Sequence, residues 1–236
     1  MAGEEQFEEL TPPKSIEELG ILVLDGSGSM ADVEKASGKK KAEAVEEHLI
    51  IAHDSLFARL KGGTRRHEIS LALVTFDNRD EKRLDPTELA QLTRDDLSLN
   101  LLQEHGGSTA IGRALETAGE IAEQFIASEQ RVPRFVTILL MSDGQETENT
   151  DPVGVAKQIH QKAKPKQIAG RPTQRPDIAI AVAAYGDDAD VNTLRQIATQ
   201  LPDQADKFFK RVQSGTELRA FFLESLTVAP EATGGR

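Results

Sequence analysis

Gly20-Ile21-Leu22-Val23-Leu24-Asp25-Gly26-Ser27-Gly28-Ser29 opens as an unbroken apolar run and ends in an acid followed by alternating glycine and serine. An apolar run that is continuous rather than alternating is the pattern of a strand buried on both faces, as in a parallel sheet covered by helices. The turn beyond it carries chemistry. In an extended turn, positions 25, 27 and 29 point the same way, so one carboxylate and two hydroxyls can meet at one point. The glycines at 26 and 28 let the backbone bend closely around that point.

Outward from this segment, strand and helix signals alternate. Ala42, Val45, Leu49, Ala52, Leu56 and Leu60 recur at three- and four-residue spacing, which predicts an amphipathic helix over 39–60, with Gly62-Gly63 ending it. A strand follows at 68–76, and the polar turn Asp77-Asn78-Arg79-Asp80 leads toward Leu84 as a hairpin into an edge strand. Beyond irregular sequence, Gly106-Gly107-Ser108-Thr109 precedes a helix over 111–127, and a buried strand at 135–141 ends in Ser142-Asp143-Gly144. Asp151-Pro152 has the N-cap and first-turn pattern of a helix to about Lys162. Further strands are predicted at 178–185 and 207–212, and helices at 189–200 and 215–226. The alternation predicts an α/β fold: a doubly wound, mostly parallel central sheet with helices on both faces.

Residues 1–17 are expected to form a flexible acidic tail, 18–228 one domain, and 229–236 a second flexible tail. Residues 161–176 hold five basic residues, three prolines and no acid, and are expected to form an exposed loop. With 28 basic against 39 acidic residues the net charge is −11, which disfavours nucleic acid and anionic membrane as partners. The absence of cysteine excludes disulfides, thiolate catalysis and zinc–thiolate sites. The start MAGEEQFEEL lacks the apolar segment of a secretory signal, and no apolar run approaches the ~20 residues of a membrane span. A cytoplasmic, monomeric protein is the expectation.

In a doubly wound sheet, ligands collect beyond the carboxyl ends of the strands, where strand order reverses. Three oxygen-bearing loops are predicted at such places: Asp25–Ser29, Gly107–Thr109 and Ser142–Gly144. Two carboxylates and several hydroxyls without histidine or cysteine form a hard-oxygen set, suited to Mg²⁺, Mn²⁺ or Ca²⁺ rather than zinc or copper. Two carboxylates only balance one divalent ion, whereas an all-protein calcium cage often holds three or more, so Ca²⁺ fits less well. A site this poor in charge keeps open coordination and attracts an outside carboxylate.

The sequence resembles a von Willebrand factor A domain, the family that includes the integrin inserted domain. The family pattern D-x-S-x-S matches Asp25, Ser27 and Ser29; the loop-two threonine matches Thr109 and the loop-three aspartate Asp143. The stretches IAIAVAAYGDDADVNTLRQIA and KFFKRVQSGTELRAFF resemble its last two strand–helix units. The resemblance implies a metal ion-dependent adhesion site (MIDAS). There Ser27, Ser29 and Thr109 contact the ion by their hydroxyls, and Asp25 and Asp143 act directly or through water. An Asp or Glu of a partner protein completes the shell. The resemblance also implies one antiparallel edge strand and a binding role rather than a catalytic one, and soluble bacterial members serve beside ATPases in larger machines.

Other readings compete. Gly26-x-Gly28-x-x-Ala31 fits a relaxed dinucleotide fingerprint, as in an NAD-type enzyme, but the next strand ends about 50 residues later rather than the ≈ 20 that fingerprint requires. A scaffold subunit of an ATPase-associated complex, its metal site vestigial, is a further alternative. A D-x-D phosphatase needs an acid where Ser27 stands, and no histidine occupies a loop suited to serine hydrolysis. His105 is a candidate for the rim of the site. Asp77 and Glu146 are read as rim acidity outside the ligand set.

Overall fold

A computed structural model describes residues 16–61, 67–128, 132–167, 174–201 and 207–226. The predicted tails lie largely outside these, as does the Gly62-Gly63 terminator. The first strand, β1, spans Ile16–Asp25 and so begins four residues before Gly20. Ile16 and Glu17, assigned to the tail by their polar neighbours, pair with His67 and Glu68 and belong to the sheet.

Chain order continues with α1 (Lys41–Lys61), β2 (His67–Phe76), β3 (Asp80–Glu88), α2 (Leu101–Glu104), α3 (Ile111–Ala127), β4 (Arg134–Ser142) and α4 (Pro152–Lys162). It ends with β5 (Pro165–Gln167), β6 (Gln174–Pro176), β7 (Ile178–Tyr185), α5 (Val191–Ile197), β8 (Phe209–Val212) and α6 (Gly215–Leu226). The main sheet has the order β3-β2-β1-β4-β7-β8. Only β3 runs antiparallel, against β2, as the hairpin signal predicts.

Each central strand feeds two cores by alternation. From β1, Leu22 and Leu24 face the layer that holds Val45 and Leu49 of α1 and Phe221 and Phe222 of α6. Leu19, Ile21 and Val23 face the opposite layer, with Leu115 of α3, Ile159 of α4 and Leu194 of α5. Both faces of the strand are thus covered, which is why its sequence shows no polar alternation. Strand order reverses between β1, whose next strand lies on one side, and β4 on the other. The two neighbours are in register to their carboxyl ends, with Leu24 opposite Met141, so Asp25 and Asp143 emerge side by side.

Two segments differ from expectation. The basic stretch at 161–176 is not a plain loop: β5 and β6 form a two-stranded antiparallel ribbon, and Arg175 is buried. Its guanidinium donates to Thr137 Oγ1 at 3.0 Å, lies 3.7 Å from Glu18, and covers the Phe135 ring. Helix α5 is shorter than 189–200. Asp190 caps it by accepting from the Thr193 amide, and after Ile197 the chain is held extended by β7. There the Ile180 amide donates to Thr199 Oγ1 at 2.8 Å, and the Thr199 amide donates to the Ile180 carbonyl at 2.9 Å. Pairing of β7 with β8 begins only at Val182, so Thr199 satisfies the backbone that β8 does not reach. Among the described residues, no helix is long and apolar enough to cross a membrane.

Candidate metal centre

The three predicted loops meet at the switch point. The Gly28 amide donates to the Gly107 carbonyl at 3.1 Å, joining the first loop to the second. The Thr109 amide donates to Thr147 Oγ1 at 2.8 Å, and the Thr147 amide to the Thr109 carbonyl at 2.9 Å, joining the second to the third. A single 3₁₀ turn, Gly28–Ala31, follows the first loop and is closed by Met30 and Asp32 amides on the Ser27 and Ser29 carbonyls.

Within this frame all five sequence-predicted residues converge. Ser27 Oγ and Ser29 Oγ are 3.2 Å apart, and Ser29 Oγ donates to Asp143 Oδ1 at 2.6 Å. Thr109 Oγ1 and Ser29 Oγ both flank Gly144, where a Cβ would stand 3.3 Å and 3.8 Å from them. Asp25 is wholly buried at the floor, accepting from the Ser27 amide at 2.8 Å and from Ser142 Oγ at 2.6 Å. Gly28, Gly107 and Ser108 are exposed and form the mouth.

Two buried carboxylates, Asp25 and Asp143, dominate the electrostatics of the site. Burial, with the nearby Asp143 carboxylate adding to it, pushes the Asp25 carboxyl up to about 6, against the Ser142 and Ser27 hydrogen bonds that pull it down. Two buried acids and three hydroxyls offer only hard oxygen donors. Among the described residues no three His, Cys, Asp or Glu side chains gather in a cluster that could hold a metal. The donors that converge here are hydroxyl and carboxylate oxygens, a hard-oxygen set.

His105 does reach the site, but as support. Its Nε2 lies 2.8 Å from Thr75 Oγ1 and its Nδ1 3.4 Å from Asp77 Oδ1. It packs beneath Gly26, where a Cβ would come within 2.8 Å of the His105 Cβ, so only glycine fits that position of the first loop. Asp77 is buried and binds the Arg79 and Gly107 amides. Burial acts to raise its carboxyl, but those amides and His105 outweigh burial and hold it below the usual range. Glu146 accepts from Thr150 Oγ1 and the Gly112 amide, near the start of α3. Both acids organise loops rather than ornament the rim.

Two roles are not read from the sequence. Ser142, adjacent to Asp143, orients Asp25 across β1 and β4. Lys41, the first residue of α1, is buried and donates from Nζ to Asp143 Oδ2 at 2.6 Å. The run Lys39-Lys40-Lys41 reads as a solvated helix start, and nothing local separates the third lysine from the others. The glycine loop, in turn, leads into a 3₁₀ turn with α1 starting only at Lys41. It therefore lacks the helix N-terminus that a dinucleotide pyrophosphate requires.

Comparison with known proteins agrees with this fold. Bacteroides thetaiotaomicron BatB superposes with a TM-score of 0.58 at 17% identity, covering 87% of this chain and 96% of its own. A von Willebrand factor type A protein from Catenulispora acidiphila gives 0.57 at 18% identity, over 88% of this chain and 41% of that one. Proximal thread matrix protein 1 from the mussel byssus, with a zinc-occupied MIDAS motif, gives 0.57 at 17% identity, over 90% and 46%. This chain spans less than half of the latter two, and at these identities the likeness shows the fold. A comparison with curated proteins finds no match. The family model for the von Willebrand factor type A domain matches residues 21–224, nearly the whole chain, and the chain belongs to that family.

Proposed function

We propose that this domain holds one Mg²⁺ or Mn²⁺ through Asp25, Ser27, Ser29, Thr109 and Asp143, and uses it to bind an Asp or Glu carboxylate of a partner protein. The observation that carries this reading is the meeting of three hydroxyls and two buried carboxylates at the switch point, under a mouth of small residues. The bound cation supplies a Lewis-acidic position for an anionic ligand. The chain's own groups do the rest. Asp25 and Asp143 balance the charge. Ser29 keeps its proton directed at Asp143 and offers a lone pair of the same oxygen, and the glycines at 28 and 107 let the first two loops close on each other and on Asp77 and Asn78.

Family membership supports an interaction role, since von Willebrand factor type A domains generally act in binding rather than catalysis. The zinc-occupied MIDAS motif of the mussel protein supports a metal-dependent mode in this fold. The test is retention of partner proteins from extract on immobilised domain. Retention in Mg²⁺ that is lost in EDTA and lost in Asp25→Ala supports the proposal. Retention indifferent to both contradicts it and favours a scaffold whose metal site is unused.

A further inference from the structure

We propose that Lys41 sets the charge of the metal centre, trading cation affinity for affinity toward the anionic ligand; the inference rests on the metal reading above. Its ammonium donates to Asp143 Oδ2 at 2.6 Å, while the other oxygen of the same carboxylate, Oδ1, faces the Ser29 hydroxyl. The lysine therefore occupies the edge of Asp143 turned away from the hydroxyl cluster, and leaves the cluster itself open. It is fixed there. The Lys41 amide donates to the Asp32 carbonyl at 2.9 Å, and its side chain is only 10% exposed. Gly186, in the left-handed region at φ +88°, lies against Cε and Nζ, where a Cβ would be 3.5 Å from each.

The charges decide the consequence. Asp25 and Asp143 contribute two negative charges and Lys41 one positive, so the centre without a cation carries −1. A divalent ion brings it to +1. Without the lysine the loaded centre would be neutral and would draw a carboxylate by the cation's open position alone, and so more weakly. The nearby acids do not undo this. Glu34 keeps Ser37 Oγ and the Gly215 amide, and Asp77 its two amides, whichever residue stands at 41, so the difference that Lys41 makes is one unit charge. Lys41 also repels the entering cation, and at a few ångströms in a partly buried site one unit charge is worth on the order of ten-fold or more in affinity. A lysine that merely positioned Asp143 would have the opposite effect on the cation, because removing an orienting partner typically weakens metal affinity by about 10–100-fold.

The test uses the whole chain and Mn²⁺ alone, followed by acetate added to the Mn²⁺-loaded protein and read by water-proton relaxation. In Lys41→Gln, which keeps a donor and drops the charge, Mn²⁺ should bind about ten-fold tighter and acetate several-fold weaker. Lys41→Met should shift both in the same directions, and Lys41→Arg should shift neither. Circular dichroism in Mn²⁺ verifies that each variant is folded. If wild type binds Mn²⁺ but Lys41→Gln and Lys41→Met bind it no tighter, or if both affinities fall together, the charge-setting role is wrong and the metal reading stands. If wild type binds no Mn²⁺, the metal reading and this inference fall together.

Discussion

Buried acids stand at both ends of the central strands, and the two ends are balanced differently. At the amino end, Glu18 lies 3.7 Å from the Arg175 guanidinium and Asp177 lies 3.4 Å from the Lys166 ammonium. Arg175 is further held by Thr137 and by the Phe135 ring. Each acid there faces a cation of the protein itself. At the carboxyl end, Asp25 and Asp143 have one ammonium between them, that of Lys41 on Asp143, and Asp25 is satisfied only by neutral donors. A buried carboxylate with its own cation is structure. A pair short of one cation is where the proposed ion would balance the charge.

The largest effect is expected at the closed end. Arg175→Met removes a buried cation and strands acid beside it, and should lower unfolding free energy by about 3 kcal/mol in urea melts. Mg²⁺ affinity should not change. A large loss of Mg²⁺ binding in that variant would erase the distinction between the ends.

At the open end the sign reverses. Asp25→Asn removes a charge that burial and Asp143 disfavour, so in EDTA at pH 7.5 it should stabilise the domain by about 2 kcal/mol. Destabilisation of that size would mean that Asp25 is structural in the way Glu18 is.

The pH dependence sharpens the same point. Folding raises the Asp25 carboxyl from its ordinary 3.8 to about 6, so the folded, ion-free chain keeps this proton where the unfolded chain has lost it. Stability of the ion-free domain from this group is therefore greatest at low pH. It declines as pH rises from about 4 to about 6 and then stays level. Mg²⁺ binding runs the other way, because the ion displaces the proton. Its affinity should be constant above about pH 7 and fall about ten-fold by pH 5. Calorimetry at several pH values checks both limbs.

The smallest effect concerns the wall of the site. Gly144→Ala places a Cβ 3.3 Å from Thr109 Oγ1, which should weaken Mg²⁺ several-fold with stability changed by less than about 0.5 kcal/mol. Unaltered Mg²⁺ affinity would place the ion away from Thr109.

What the sequence discloses follows from how local each signal is. The run from Ile21 to Ser29 contains both the two-faced burial of β1 and three site residues within nine positions, so fold and site are legible together. Thr109 and Asp143 are legible because each follows a recognisable loop at a strand–helix or strand end. Lys41 is not. Its burial depends on an acid 102 residues away, and its neighbours Lys39 and Lys40 are exposed. Arg175 is misread for a related reason: proline and basic residues predict solvent, but a ribbon folded over Glu18 and Phe135 gives one of them an interior partner. Thr199 shows the same limit at α5, where a backbone need on another strand ends a helix that its own sequence would continue.

The central claim is that the carboxyl end lacks one cation and takes it from solution. Calorimetric titration of Mg²⁺ into metal-free wild type and Asp25→Asn tests this most directly. Wild type should bind one Mg²⁺ per chain, and the variant, which remains folded, should give no measurable heat of binding. Equal isotherms for the two proteins, or none for wild type, would contradict it.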